Sequence, residues 1–220
     1  MLIKRLSGVA LGAAAAIGVG LAVLPAQAQY IVTFREVGGD VVATGSGSID
    51  LAGLSLTATQ SVMSQIAPQI AVILTGPTLA DSDFYTGIAG NLHPFTGPSD
   101  FGGAGGTFAT FASSGAGSLV GIQNNSAAFA NLLFVPAGYV SGAPLSDTMT
   151  FDDATFESLG VIPGVYTWTW TPPPGLPAAP DGSFTLDVVP EPATWIMMLA
   201  GFVGLGLVAW RQGRAIKSTA

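Results

Sequence analysis

The sequence predicts a mainly β protein: one β-sandwich or jelly-roll-like domain over residues 29–189, flanked by an apolar helix at either end of the chain. Three observations carry this reading. Between its ends the chain is rich in Gly, Thr, Ser, Val and Phe and poor in the Lys, Glu and Gln that build helix surfaces. Short apolar and alternating runs recur there, with turn residues every ~8–12 positions. Outside that domain lie two uncharged apolar stretches, residues 6–24 and 193–210.

The first stretch reads as a signal peptide over residues 1–28. Lys4 and Arg5 form a positive head, Leu6 to Leu24 is apolar, and Ala26-Gln27-Ala28 supplies the small residues a signal peptidase cuts behind. A retained N-terminal membrane helix is the rival. Pro25, which breaks a helix just before Ala26 and Ala28, favours cleavage and a mature start at Gln29.

Tyr30 to Val37 is the first expected strand, Gly38-Gly39-Asp40 a hairpin turn, and Val41 to Leu51 its partner. Leu54 to Thr59 alternates and is a further strand, and Ser61 to Gln69 is expected as a short helix ended near Pro68. Ala71 to Thr75 is an apolar strand. Gly97 to Gly121 reads as loops and edge strands, with strand candidates at residues 107–111 and 118–122, and Asn131 to Val135 is a strand stopped by Pro136. Strand residues follow over 148–156, then a turn of helix over 157–160, with Pro163-Gly164 expected at the centre of a type II turn. Val165 to Trp170 alternates cleanly, placing Tyr166, Trp168 and Trp170 on one face. Five prolines make residues 171–182 a loop. Ser183 to Val189 is the last strand, expected antiparallel to residues 165–170.

That strand runs into residues 190–217 almost without a linker. Pro190-Glu191-Pro192 is followed by 18 uncharged residues, Ala193 to Trp210, and then by Arg211, Arg214 and Lys217. At 1.5 Å rise per residue such a helix is about 27 Å long, just enough for the hydrocarbon core of a bilayer. Trp195 and Trp210 bracket it as interfacial aromatics do. The three cations act as a stop-transfer signal and place the C-terminal tail in the cytoplasm, so that residues 29–189 lie across the inner membrane from it. A buried core helix is the alternative.

Without its ends the chain has one cation, Arg35, against twelve acids, a net charge of −11. That repels nucleic acid and excludes it as a partner. There is no cysteine, so no disulfide or thiolate site exists in a compartment that would allow one. No cofactor motif is present.

Three sets of residues could carry chemistry. A hydrolase would have to use His93, the only histidine, or a carboxylate pair such as Asp152–Asp153 with Glu157; no Gly-x-Ser-x-Gly elbow supports it, and no catalytic residue is assigned. Asp81 and Asp83 are candidates for calcium, although neither an EF-hand nor a calcium repeat surrounds them; the alternative is that they are solvated loop acids. Trp168 and Trp170 are candidates for stacking on sugar rings in a carbohydrate-binding module, which requires them to be exposed.

The run Pro190-Glu-Pro-Ala-Thr-Trp-Ile-Met-Met-Leu-x-Gly-Phe202, with the apolar helix and basic tail, resembles the PEP-CTERM sorting signal of exported bacterial proteins. The stretch from Phe134 to Trp170 also resembles a module that recurs in such proteins, extending the likeness over the last 90 residues or so. The resemblance implies that Pro190, Glu191 and Pro192 are recognised by exosortase, a membrane-embedded cysteine transpeptidase that cuts near them. It implies a protein processed by that enzyme, in a system linked to exopolysaccharide and biofilm; with no catalytic residue assigned, the chain reads as a non-enzymatic protein, anchored first and then released to the surface or medium. The spacing of Arg211, Arg214 and Lys217 departs from the usual close arginine run.

Overall fold

The computed structural model describes residues 28–88, 91, 94–103, 109–124, 130–171, 182–190, 201–203 and 205. Its strands form two sheets. One has six strands and the other seven.

The six-stranded sheet starts with a hairpin, β1 (Gln29–Val37) and β2 (Asp40–Ser48). Gly38 and Gly39 link them with φ of 68° and 102°, the double left-handed geometry that a tight hairpin needs and glycine adopts without steric cost. The seven-stranded sheet is built mainly from the middle of the chain. Its strands are β3 (Leu54–Val62), β4 (Gln65–Ala67), β5 (Val72–Thr75), β6 (Ala80–Gly87) and β7 (Thr110–Phe111), then β9 (Val120–Gln123) and β10 (Leu132–Pro136). β8 (Ser114–Gly117), β11 (Pro144–Phe151), β12 (Gly164–Trp170) and β13 (Gly182–Val188) complete the first sheet, in the order β12-β13-β1-β2-β11-β8. The second sheet runs β3-β6-β10-β9-β5-β4-β7.

One core draws on both sheets. Tyr30, Val32, Phe34, Trp168, Phe184 and Leu186 meet Ile66, Ile73, Ile122, Leu133 and Val135, all fully buried. A smaller cluster of Ala67, Val72, Leu74, Leu119 and Phe134 occupies the other face of the seven-stranded sheet.

Four expectations are corrected. The helix expected over 61–69 is absent: β3 continues to Val62, β4 follows, and only Pro68–Ile70 winds as a 3-10 turn. Pairing of β4 with both β5 and β7 satisfies its backbone, which a helix starting at Ser61 would forfeit. Asp81 and Asp83, read as loop acids, lie in β6. Strand residues expected to Phe156 stop at Phe151, and β11 instead begins early, at Pro144, the first strand position, where a missing N–H is tolerated. Gly164 is already the first residue of β12, so Pro163-Gly164 is not a turn centre.

The helical turn α1 (Phe156–Leu159) matches expectation. Thr155 and Ser158 form a capping box and Gly160, at φ 69°, closes it. β12 and β13 are antiparallel as expected, but β13 also pairs with β1 in parallel, from Gln29↔Ser183 to Phe34↔Val188. The expected loop over 171–182 falls largely outside the described residues.

Candidate functional site: the junction beyond the last strand

β13 is an inner strand, held by β12 on one side and β1 on the other, and it is the last strand among the described residues. Phe184, Leu186 and Val188 point into the core. Val189 continues the line for one more residue: its N–H donates to the Phe34 carbonyl at 3.0 Å. Pro190 has no N–H to donate and is exposed. The first residue of the Pro-Glu-Pro motif is thus also the first residue free of the sheet. Glu191 and Pro192 lie outside the described residues.

An open groove of about 460 Å³ flanks this exit, lined by Pro163, Gly164, Val165 and Asp187 through Pro190. A neighbouring hollow of about 550 Å³ shares Pro163 and is bordered by Phe156, Glu157 and Ile162. Ile162 and Val165 are exposed beside it, as is Val37 at the end of β1. The end where signal cleavage is expected from the sequence lies elsewhere. Ala28 is buried, its carbonyl accepts from Ser183 N–H at 3.1 Å, and it sits at the other end of the β1–β13 ladder. Five residue steps separate the two ends of that ladder, roughly 17 Å. Ala26 lies outside the described residues.

The remaining candidates separate as follows. Trp168 and Trp170 share one face of β12, as the alternation predicts, but that face is the core. Trp168 is 0% exposed and Trp170 3%. Trp168 Nε1 donates to the Pro98 carbonyl at 2.8 Å and Trp170 Nε1 to that of Asp50 at 2.9 Å, while Phe95 packs edge-on to Trp170 with centroids 5.6 Å apart. Glycan stacking on these two rings is therefore corrected to a packing role.

Asp81 and Asp83 are two apart on β6. Asp81 accepts from Ser61 Oγ, and Asp83 from Thr59 Oγ1 and from Gly138 N–H at 2.8 Å. Both carboxylates tie neighbouring segments together, and among the described residues no three of His, Asp and Glu gather as a metal-holding group. Asp152 and Asp153 are exposed, and the Asp153 N–H donates to Asp40 at 2.9 Å; Glu157 is exposed on α1. His93, Arg211, Arg214 and Lys217 lie outside the described residues. Among the described residues no helix is long and apolar enough to cross a membrane. Of the stretch 193–210 only residues 201–203 and 205 are described; they are helical, with Phe202, Val203 and Leu205 exposed.

One polar cluster was not anticipated. Asp147 on β11 is 5% exposed, accepts from Tyr30 Oη of β1, and lies 2.7 Å from Thr75 Oγ1 of the other sheet. Its Oδ1 has no partner among the described residues. Burial pushes its carboxyl from an ordinary 3.8 up to about 6, against the hydrogen bonds of Tyr30 and Thr75, which pull it down. Burial and the adjacent carboxyl push the Tyr30 phenol far up as well. A signal for this cluster was present: Leu145, Asp147, Met149 and Phe151 alternate, which puts the acid on the apolar face.

No curated protein and no solved structure matches the chain. The PEP-CTERM protein-sorting motif family matches residues 188–215, beginning inside β13 at Val188. The chain ends in a PEP-CTERM protein-sorting motif, the mark of an exported protein sorted by exosortase to the surface or the medium.

Proposed function

We propose that this is a non-catalytic exported protein whose acidic β domain, a two-layer sandwich of jelly-roll-like type, is delivered in two steps. Signal peptidase removes residues 1–28 behind Ala26-Gln27-Ala28. The helix 193–210, stopped by Arg211, Arg214 and Lys217, then anchors the chain in the inner membrane until exosortase, reading Pro190, Glu191 and Pro192, releases it. Outside the cell it serves as a structural or adhesive component of an exopolysaccharide or biofilm matrix, with polysaccharide as its partner through surfaces other than Trp168 and Trp170.

The observation that carries this reading is the continuity of a folded domain with a sorting motif: β13 ends at Val188 and the motif begins two residues later. A domain tied that closely to its anchor has no linker on which to reach outward, so release is what gives it range. The carboxylate route to a hydrolase gains no support from the placement of Asp152, Asp153 and Glu157, all exposed.

The test is Glu191→Ala in the native host. Export is expected to continue while release into the medium falls at least tenfold and the full-length form accumulates in membranes. Soluble domain at normal levels from that variant would overturn processing at this motif. Removing Arg211, Arg214 and Lys217 is expected to loosen membrane retention; unchanged retention would mean the helix suffices.

A further inference from the structure

We propose that β3 is a self-pairing edge: two copies of the chain associate with residues 58–62 of one antiparallel to residues 58–62 of the other, about a two-fold axis at Gln60. The pairing joins their seven-stranded sheets edge to edge. It concerns the β domain alone and holds whether or not the chain is processed.

A sheet edge presents a row of unpaired N–H and C=O groups, which folded proteins ordinarily blunt with short strands, charge, proline or a covering segment. Four strands are edges here, β12, β8, β3 and β7. β7 has two residues, and β8 has four, two of them glycine. Thr96 bridges β12 at Thr169. β3 has nine residues with neither proline nor charge, and it lies in a run, 51–80, that holds no charged side chain at all. Its one irregularity is a bulge between Leu56 and Ala58; from Ala58 to Val62 the ladder with β6 is regular. Leu56 lies beyond the bulge and outside the paired segment.

The direction of the open groups follows from β6. Ala137 N–H donates to the Asp81 carbonyl on the β10 side. In an antiparallel ladder alternate residues face opposite neighbours, so Asp81 and Asp83 turn their main-chain groups to β10, and Ala80, Ser82 and Phe84 turn theirs to β3. Opposite those three stand Val62, Gln60 and Ala58. The intervening Thr59 and Ser61 therefore turn N–H and C=O outward, where no other segment takes them among the described residues. Thr59, Gln60 and Ser61 are exposed.

The segment complements itself. Turned antiparallel about Gln60, Thr59 of each copy stands opposite Ser61 of the other and exchanges both main-chain bonds with it, while Ala58 meets Val62 and Gln60 meets Gln60. Charge selects the same contact. With −11 on residues 29–189, two copies repel except where neutral surface meets neutral surface. The nearest acids, Asp81 and Asp83, lie one strand in and accept from the Ser61 and Thr59 hydroxyls. Across the axis they stand three strand spacings from their counterparts, about 14 Å, beyond the screening length of about 8 Å at physiological ionic strength. So short a ladder makes a weak pair, favoured where copies are held close together on one surface or in one matrix.

The chain has no cysteine, so Gln60→Cys in the full-length chain, solubilised in detergent, can form only an intermolecular disulfide. Facing residues of a non-hydrogen-bonded pair have Cα atoms about 4.5 Å apart, within the range of about 4.4–6.8 Å that a disulfide spans. Under mild oxidation this variant is expected to crosslink about tenfold faster than Val165→Cys, an exposed position on the edge strand of the other sheet. Equal rates would overturn the proposal. Gln60→Glu sets two carboxylates against each other on an exposed position and is expected to raise the dissociation constant about tenfold in sedimentation velocity. Mixing it with Gln60→Lys is expected to restore association between the unlike copies. Association unmoved by Gln60→Glu, or no recovery in the mixture, would rule out pairing about Gln60. Crosslinking of Gln60→Cys to another host protein in preference to its own copy would also overturn self-pairing and make β3 the seat of a foreign strand.

Discussion

The two sheets are built on different plans. In the six-stranded sheet β1, β11 and β12 alternate, burying Tyr30, Val32 and Phe34, then Leu145, Met149 and Phe151, then Trp168 and Trp170, while Ile31, Ser46, Thr148 and Val165 face water. In the seven-stranded sheet all four residues of β5 are buried, because Ile73 enters the main core and Val72 and Leu74 enter the second cluster on the far face. One sheet is covered on one face and the other, at its centre, on both. The contrast teaches where a chain can carry a function such as presenting a processing motif. The strand that leads to Pro190 belongs to the regular sheet, is clamped from both sides, and ends abruptly. In the other sheet β4, β5, β7 and β9 have only two to four residues each, and none of its strands leads to the motif.

The largest effect expected from this comparison is Trp168→Ala. It removes the ring that meets Phe101 and Phe184 at the heart of the six-stranded sheet's inner face, and it is expected to cost about 3–5 kcal/mol in urea denaturation. A loss under about 1 kcal/mol would mean that the core is not shared as described.

Next comes Asp147, the link between the sheets. Asp147→Ala leaves the Tyr30 hydroxyl without its acceptor and should cost about 1–3 kcal/mol. The pH dependence has a definite sign. The folded carboxyl titrates higher than the unfolded one, so the folded state holds the extra proton between pH 3.8 and about 6. Its contribution favours folding below that window and is lost as pH rises through it. The wild-type thermal midpoint, corrected by that of Asp147→Asn, should therefore fall from pH 4 toward pH 6, the interval set by those two values. A difference that rises with pH would show that Asp147 is held as a carboxylate.

The smallest effect is expected at the open rim of the seven-stranded sheet. Leu56 on β3 is 54% exposed, and Leu56→Ser should change stability by no more than about 0.5 kcal/mol. A larger loss would show that this edge strand is covered in the intact protein.

Much of the six-stranded sheet could be read from the chain because its alternation is a local property. Val165 to Trp170 and Tyr30 to Val37 each declare which face is apolar, and Gly38-Gly39 declares the hairpin. The seven-stranded sheet was harder to read. Ile66 and Ala67 sit in a segment whose local pattern suits a helix, and only the neighbours β5 and β7 make it a strand. Asp83 looked like a loop acid because its partners, Thr59 and Gly138, are 24 and 55 residues away. The same holds for Trp168 and Trp170: alternation put them on one face, but whether that face meets water or a second sheet is not written in β12.

By itself the sequence determined the β class, the acidic charge of residues 29–189 and the C-terminal Pro-Glu-Pro motif. Each of these rests on composition, period or a contiguous motif, and so on interactions among residues a few positions apart. Tertiary structure alone decided that β13 lies in parallel beside β1, that the tryptophans and Asp147 are interior, and that the sheet's grip ends at Pro190. Those outcomes depend on strands 100 or more residues apart coming into register, as Phe34 and Val188 do. Such long-range pairing is fixed only when the whole core closes, because the entropy of bringing distant segments together is recovered through burial on both of them at once.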